Sequence, residues 1–357
     1  MDVETKVQSI KNFAEEIVTE EDLRKIFENN SKPTAYDGFE PSGVAPIHFG
    51  LLRATNLRSM LKSGVKFKLY LADYFAFLNN KLGGDLENIR NAGKYFIEVW
   101  KACDIDMDKV EIVWAKDIMK DISYWDRFLK IGKEISLERN LRATTIMCRK
   151  QGEKLSMGQL FYPPMQVTDI FEMEIDICQL GMDQRRANIL SREVADKLNW
   201  KKPIAAHHHI IMGLQGIKRG NNDEETLMQS KMSKSDPKSA IYMHESYEEL
   251  KAKVNSAYCP ERIEGGNPLL EYCKYILFKN VRSIKIERPK KFGGEIEFFN
   301  YDELKDIYVN GKLHPMDLKM AVTNELEKLI KPVREYFEKN KKAKELYNVV
   351  RQIKITR

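Results

Sequence analysis

Between residues 35 and 115 the chain alternates short apolar runs with amphipathic stretches in the order strand, helix, strand, helix, strand. Residues 66–72 show the pattern most plainly. Phe67, Leu69 and Leu71 alternate with Lys68 and Tyr70, the two-residue period of a strand. Residues 35–39 and 110–115 read as two further strands, with helices over 48–61, ended by Ser63-Gly64, and over 88–103. Strands joined by helices in this order run parallel with crossover connections, so the expected fold class is α/β with a Rossmann-like parallel sheet. Ligands of such open sheets bind beyond the carboxyl ends of the strands, at a switch point in strand order. Residues 38–50 and 72–74 are therefore expected at the rim of one crevice.

The remaining pattern divides the chain. Residues 8–28 read as two helical pieces; 19–22 make a capping-box-like start, and Leu23, Ile26 and Phe27 follow at helical spacing. Residues 117–160 are helical and charged, carry Arg139, Arg142 and Arg149, and interrupt the alternation as an insertion. The alternation resumes near 162–166 and passes through 188–198. Gly216, Gly220, Asn221 and Asn222 mark 215–230 as a long loop, expected to be mobile. Beyond residue 246 the pattern is helical over 247–257, 268–277, 315–330 and from 332 onward, with Pro315 and Pro332 at first-turn positions. A short strand pair, 283–287 with 295–299, interrupts it around Gly293-Gly294. The expected organisation is an N-terminal helical segment 1–30, a Rossmann-like domain 31–214 with its insertion, a loop and linker 215–245, and a mainly α-helical C-terminal domain 246–357.

Composition bounds the function. A chain of 357 residues, 43% hydrophobic and 31% charged, suits a soluble protein of about two domains. It contains no apolar run approaching the roughly 20 residues that cross a bilayer. Its start has neither a signal-peptide apolar region nor an arginine-rich transit pattern, so the expected location is cytoplasmic. Five widely spaced cysteines without a CxxC pair argue against a disulfide framework or a cysteine zinc site. The net charge of +6 is concentrated: residues 331–357 hold nine Lys/Arg against three Glu. A basic end on a balanced protein fits phosphate-backbone binding; a solvated helix and tail is the alternative.

Two segments suit a polyphosphate. Gly38-Phe39-Glu40-Pro41-Ser42-Gly43, followed by Pro46-Ile47-His48-Phe49-Gly50, is a glycine-containing turn opening a helix, whose N-terminal amides suit an anion. His48 could donate to an α-phosphoryl oxygen or be a buried structural histidine. Lys231-Met232-Ser233-Lys234-Ser235 places two lysines three residues apart on a polar loop. Together the two segments supply the charge stabilisation that attack at an α-phosphorus requires, with pyrophosphate leaving.

The second string is also the signature loop of class I aminoacyl-tRNA synthetases. In order along the chain come Ala35-Tyr36-Asp37-Gly38-Phe39-Glu40-Pro41-Ser42-Gly43, Leu71-Ala72-Asp73-Tyr74-Phe75-Ala76-Phe77-Leu78-Asn79 and Tyr162-Pro163-Pro164-Met165-Gln166-Val167-Thr168-Asp169. Gly181-Met182-Asp183-Gln184-Arg185, Gly265-Gly266-Asn267-Pro268 and His314-Pro315-Met316-Asp317-Leu318-Lys319 follow. With these motifs the chain resembles the tyrosyl-tRNA synthetases of the archaeal and eukaryotic-cytosolic type, from about residue 35 to 334. The resemblance implies that Tyr36 and Asp169 hydrogen-bond the phenol hydroxyl of tyrosine, while Tyr162, Gln166 and Gln184 hold its amino group and carboxylate side. It implies that Gly38, His48, Gly50, Lys231, Ser233 and Lys234 bind ATP, with His48, Lys231 and Lys234 the catalytic set and Mg2+ entering with the nucleotide. For tRNA-Tyr it implies Phe292 and Asp317 at the first anticodon base, and Arg142 and Arg185 near the acceptor end. It also implies a homodimer through residues 117–160, and no resident metal. An apolar pocket with a fixed acceptor binds tyrosine and leaves a polar site unsatisfied by phenylalanine. Tyr36 could otherwise be a strand aromatic, Asp169 a helix cap, and Phe292 a core residue of the helical domain.

Three features depart from that pattern. Leu51 stands where the first signature motif has a second histidine, Lys234 stands where many relatives carry serine, and the loop before Lys231 is longer than the shortest forms. His207-His208-His209 is strand-like, and neighbouring strand residues face opposite ways, which argues against a metal triplet. A tryptophanyl-tRNA synthetase and a non-catalytic RNA-binding paralogue are the competing readings.

Overall fold

The computed structural model describes residues 1–29, 32–147, 154–218, 226, 229–232 and 236–353, except the side chain of Phe292. Its centre is a six-stranded sheet in the order β1-β6-β5-β2-β3-β4. The strands are β1 Ala14–Val18, β2 Thr34–Phe39, β3 Lys66–Leu71, β4 Val110–Trp114, β5 Ile177–Gly181 and β6 Ile204–His208. β2 through β6 run parallel, and β1 closes one edge antiparallel to β6. The chain builds outward from β2 through β3 to β4, then returns to lay β5 on the other side of β2. The switch point therefore lies between β2 and β5, and the expected crevice opens there.

The expected strands 35–39, 66–72 and 110–115 and the intervening helices are present to within two residues at each end, save that the first of those helices opens later. That helix, Arg53–Lys62, is entered through a π-helical turn, His48–Leu52. The second, Leu86–Ala102, opens on Asp85, whose side chain accepts from the Asn88 amide and satisfies a first-turn donor. Between sheet and helices, Phe49 stacks on Trp100 at 5.2 Å, and Phe39 lies 5.0 Å from both rings. Burial of such side chains contributes about 1.5–3 kcal/mol each, so this cluster anchors the signature helix to the sheet.

Three sequence expectations need correction. Residues 8–28 are not two helical pieces: β1 separates the helices Val3–Lys11 and Glu20–Asn29. Its sequence Ala-Glu-Glu-Ile-Val has no clean alternation, and it is a strand because β6 offers an open backbone edge, with Glu16 opposite His207 and Val18 opposite Ala205. Residues 162–166 open a helix, Tyr162–Glu172, and the sheet resumes only at β5, five buried residues whose period cannot be read from sequence. Pro332 opens no helix but sits inside one that runs Pro315–Lys339. The lost backbone hydrogen bond, about 3 kcal/mol, is offset by burial of Val333 and Phe337 beyond it. The expected strand pair is present as β7 Ile284–Ile286 and β8 Ile296–Phe298, antiparallel. An unanticipated helix, Tyr301–Val309, follows it.

The helical C-terminal part meets the sheet and its covering helices at several places. The helix Lys341–Gln352 lies against Leu86–Ala102, where Tyr347 stacks on His244 at 3.8 Å. At the opposite edge His209 shares a 2.9 Å hydrogen bond with Glu15 of β1 and stacks on Tyr275 at 4.1 Å. Its other nitrogen lies 3.0 Å from Glu271 of the helix Pro268–Tyr272, an ion-pair contact bent away from hydrogen-bond geometry. Burial depresses the His209 pKa, but the two carboxylates prevail and raise it to about 9. Because the folded value exceeds the unfolded one, about 6.5, this tie stabilises the fold fully below about pH 6.5 and is lost as pH rises through about 9. His209→Gln is expected to lower unfolding free energy by on the order of 1–3 kcal/mol near pH 6 and by much less near pH 10, measured by urea denaturation. An equal loss at both pH values would rule out the protonated tie.

Candidate active site

Beside the switch point β2 and β3 bring Tyr36 and Tyr70 together, ring centres 6.4 Å apart and edge to face. Phe75, on the short helix Asp73–Leu78, meets Tyr70 at 6.2 Å and Tyr162 at 4.7 Å. The helix Tyr162–Glu172 carries Pro163 and Pro164 in its first turn, where their missing amide hydrogens are not needed. One turn and two turns on, it presents Gln166 and Asp169 to the same cluster.

Asp169 is almost wholly buried and accepts from two tyrosines, Tyr70 Oη at 2.7 Å and Tyr124 Oη at 2.8 Å. Burial pushes its pKa up to about 7, against the pull of the two hydroxyl donors. The Tyr36 hydroxyl is buried and makes no hydrogen bond among the described residues, with Gln166 as its polar neighbour. Buried polar atoms are ordinarily satisfied, so a lone hydroxyl beside a carboxylate marks a place for a ligand's polar group. Gln166 donates to Gln184 at 3.3 Å, and Gln184 donates to the Ile146 carbonyl at 3.2 Å. Tyr162 donates to Glu40 at 2.7 Å. The five expected tyrosine-site residues thus share one neighbourhood.

The second half of the crevice is built by the signature segments. His48 begins the π-helical turn, and its Nδ1 lies 3.4 Å from Met232 Sδ. Lys231 pairs with Asp183 at 3.3 Å. The Ile47 amide donates to the Ile241 carbonyl and the Met243 amide to Ala45, both at 2.9 Å, so the chain beyond the lysine loop is stitched to the start of the signature helix. Gly38 lies on β2 between the rings of Tyr36 and Tyr70, where a Cβ would make ordinary contacts at 3.5 Å. Gly50 is buried, and a Cβ there would come within 2.5 Å of Met243 Sδ and 2.7 Å of its Cε. Its absence lets the helix close on that segment. Leu51 is buried in the main hydrophobic core, which a second histidine would not suit. Ser233 and Lys234 lie outside the described residues, as does most of 219–228.

Sequence reasoning passed over Asp183, Tyr70, Tyr124 and the buried Asp37–Arg53 ion pair, 2.8 Å long. Burial pushes Asp37 up to about 7 despite Arg53. Asp183 was in view, flanked by Met182 and Gln184 in a quoted motif. Tyr70 alternates with Phe67, Leu69 and Leu71, yet it is buried, because the helices cover both faces of the sheet.

Residues 28–331 match the family described as tRNA synthetases class I (W and Y). The chain belongs to that family. A tyrosine–tRNA ligase of Sulfurisphaera tokodaii is 45% identical over 95% of this chain and 94% of its own length. The cytoplasmic tyrosine–tRNA ligase 1 of Arabidopsis thaliana is 41% identical over all of this chain and 90% of its own. The crystal structure of the tyrosyl-tRNA synthetase of Pyrococcus horikoshii complexed with L-tyrosine superposes with a TM-score of 0.91 at 38% identity, covering 98% of this chain and all of that one. The class I synthetase fold expected from sequence is therefore the fold observed.

The expected RNA-facing residues fall into two groups. Arg185 pairs with Glu16 of β1 at 2.8 Å, and the Arg142 carbonyl accepts from Arg186 at 2.6 Å. Far along the chain, Phe292 ends the turn Lys290–Phe292 and Asp317 lies in the first turn of Pro315–Lys339. Arg288 ties the two surrounding segments together by donating to the carbonyls of Gly294 and Lys312, each at 2.7 Å.

Gly50→Ala tests the close approach of signature helix and following segment. Overpacking at such a buried contact is expected to cost about 1–3 kcal/mol in thermal or urea unfolding. Wild-type stability would show that Met243 yields freely.

Proposed function

We infer that this protein activates L-tyrosine with ATP and transfers the tyrosyl group to tRNA-Tyr. The observation that carries the reading is the base of the pocket: the unpartnered Tyr36 hydroxyl beside the buried Asp169 carboxylate, within a wall of aromatic rings. A phenol hydroxyl can accept from Tyr36 and donate to Asp169. Phenylalanine would leave the Tyr36 hydroxyl without a partner and bring Asp169 no further donor, and an indole ring would not need the pair. The names of full-length relatives point the same way.

In the first step the tyrosine carboxylate attacks the α-phosphorus of ATP, which brings Mg2+ as part of the substrate. Tyrosyl-adenylate forms and pyrophosphate leaves. In the second, a ribose hydroxyl of the tRNA's terminal adenosine attacks the tyrosyl carbonyl and AMP leaves. No side chain acts as nucleophile. Gln166, Gln184 and Tyr162 orient the amino acid; Gly38, His48, Gly50, Lys231, Ser233 and Lys234 receive the nucleotide, and His48, Lys231 and Lys234 oppose the charge that develops on its phosphates. Arg142 and Arg185 serve the acceptor end, and Phe292 and Asp317 the anticodon. The exposed Lys341, Lys342, Lys344 and Arg351 of the last helix offer phosphate contacts. This assigns 31–214, with the signature loop 215–245, to catalysis and 246–357 to the tRNA, in the cytoplasm.

The 117–160 insertion carries the exposed apolar side chains Ile122, Leu129, Leu137, Leu141 and Met157. A cluster of this kind suits burial against a second copy of the chain.

Two measurements test these assignments. ATP–pyrophosphate exchange is expected with tyrosine, not with tryptophan, and with phenylalanine only at far higher concentration, and Lys234→Ala is expected to slow the tyrosine reaction by roughly 10²-fold or more while tyrosine binding stays within a few fold. Exchange driven by tryptophan alone would overturn the substrate. For the assembly, analytical ultracentrifugation of the wild type should give a dimer, and Leu129→Glu with Leu137→Glu a monomer; a monomeric wild type would refute the interface.

A further inference from the structure

Asp169 is more elaborately held than an acceptor for one phenol requires. Its two oxygens each already receive a tyrosine hydroxyl, from Tyr70 on β3 and Tyr124 on the helix Ile122–Glu134. A carboxylate offers about four lone-pair sites, so a further donor can still be accommodated. The other groups facing it are Tyr36 from β2 and, on its own helix, Glu172, whose charge opposes ionisation and which is itself paired with Arg127 at 3.1 Å. The neutral hydroxyl donors therefore favour the ionised form of Asp169, while burial, the larger effect, and Glu172 act the other way.

We propose that Tyr70 is a positioning and specificity-determining residue: its hydroxyl keeps Asp169 an ionised, correctly turned acceptor for the substrate phenol. Tyr70 is suited to this by contact with both halves of the site, hydrogen-bonded to Asp169 and edge-on to Tyr36. Without its hydroxyl, the carboxyl retains one donor and takes up a proton at neutral pH. A protonated Asp169 offers the phenol a donor where an acceptor is needed, and the advantage of tyrosine over phenylalanine shrinks. Since Asp169 sits at about 7 in the free protein, tyrosine binding releases a proton and weakens as pH falls through that value. Removing the Tyr70 donor raises the Asp169 pKa, so the same weakening sets in at higher pH.

The inference rests on Asp169 being the phenol's acceptor, and the experiment separates the two. Pyrophosphate exchange by the full-length enzyme is measured with tyrosine and with phenylalanine from roughly pH 6 to pH 9, for wild type, Tyr70→Phe, Tyr70→Met and Asp169→Asn. Tyr70→Phe is expected to raise KM for tyrosine roughly tenfold near pH 7, to leave KM for phenylalanine within about twofold, and to move the midpoint of the KM–pH profile upward with recovery at high pH. Tyr70→Met, which also lacks the donor, shows the same upward shift and serves if Tyr70→Phe does not fold. A Tyr70→Phe profile superimposable on that of the wild type, with Asp169→Asn losing selectivity, would overturn the role of Tyr70 alone. Undiminished selectivity in Asp169→Asn would remove both the acceptor and its support.

Discussion

The reversal of strand order at β2 is the constraint from which the rest follows. Growth from β2 to β4 in one direction and from β5 to β6 in the other leaves the carboxyl ends of β2 and β5 without a crossover between them. Tyr36 and Gly38 lie on β2, Gln166 and Asp169 on the helix Tyr162–Glu172, and Gln184 directly after β5. The aromatic contact of Phe39, Phe49 and Trp100 then fixes the signature helix to the sheet, so that His48 and the Asp37–Arg53 pair are set by the core rather than by a loop. Packing at interior density makes such placement insensitive to solvent.

Within the crevice, burial is the agent that gives ordinary side chains unusual chemistry. Asp169 and Asp37 both lose solvent and both rise to about 7, but by different compensation: two neutral hydroxyls hold the first, a guanidinium holds the second. An acceptor held by hydroxyls stays responsive to a further hydroxyl, whereas one held by a salt bridge is already satisfied.

The connection between the helical end and the sheet is also chemical rather than a bare linker. Tyr95 links the joint: its hydroxyl accepts from the Ala45 amide at 3.2 Å and shares a 2.8 Å hydrogen bond with His244. His244 is pulled down to about 3 by burial and stacks on Tyr347 of the last helix, so the joint stays neutral through physiological pH. The beginning of the signature motif, the segment after the lysine loop and the C-terminal helix thus share one buried cluster.

Local periodicity carried the α/β class, the β2-to-β4 half of the sheet, the turn before His48, the helical end and the strand pair at Gly293-Gly294, because each is written within a few residues of chain. Ordered motifs carried the family and brought forward Tyr36, Tyr162, Gln166, Asp169 and Gln184, which the fold gathers in one neighbourhood. Tertiary structure alone decided that Ala14–Val18 is a strand, since an edge is offered by a partner almost two hundred residues away. It alone decided that Pro332 stays inside a helix, that Gly50 is a packing contact, and that Tyr70 and Tyr124 converge on Asp169. Those outcomes depend on which surfaces meet after folding, and a hydrogen bond or a buried contact between distant residues leaves no period in the chain that encodes it.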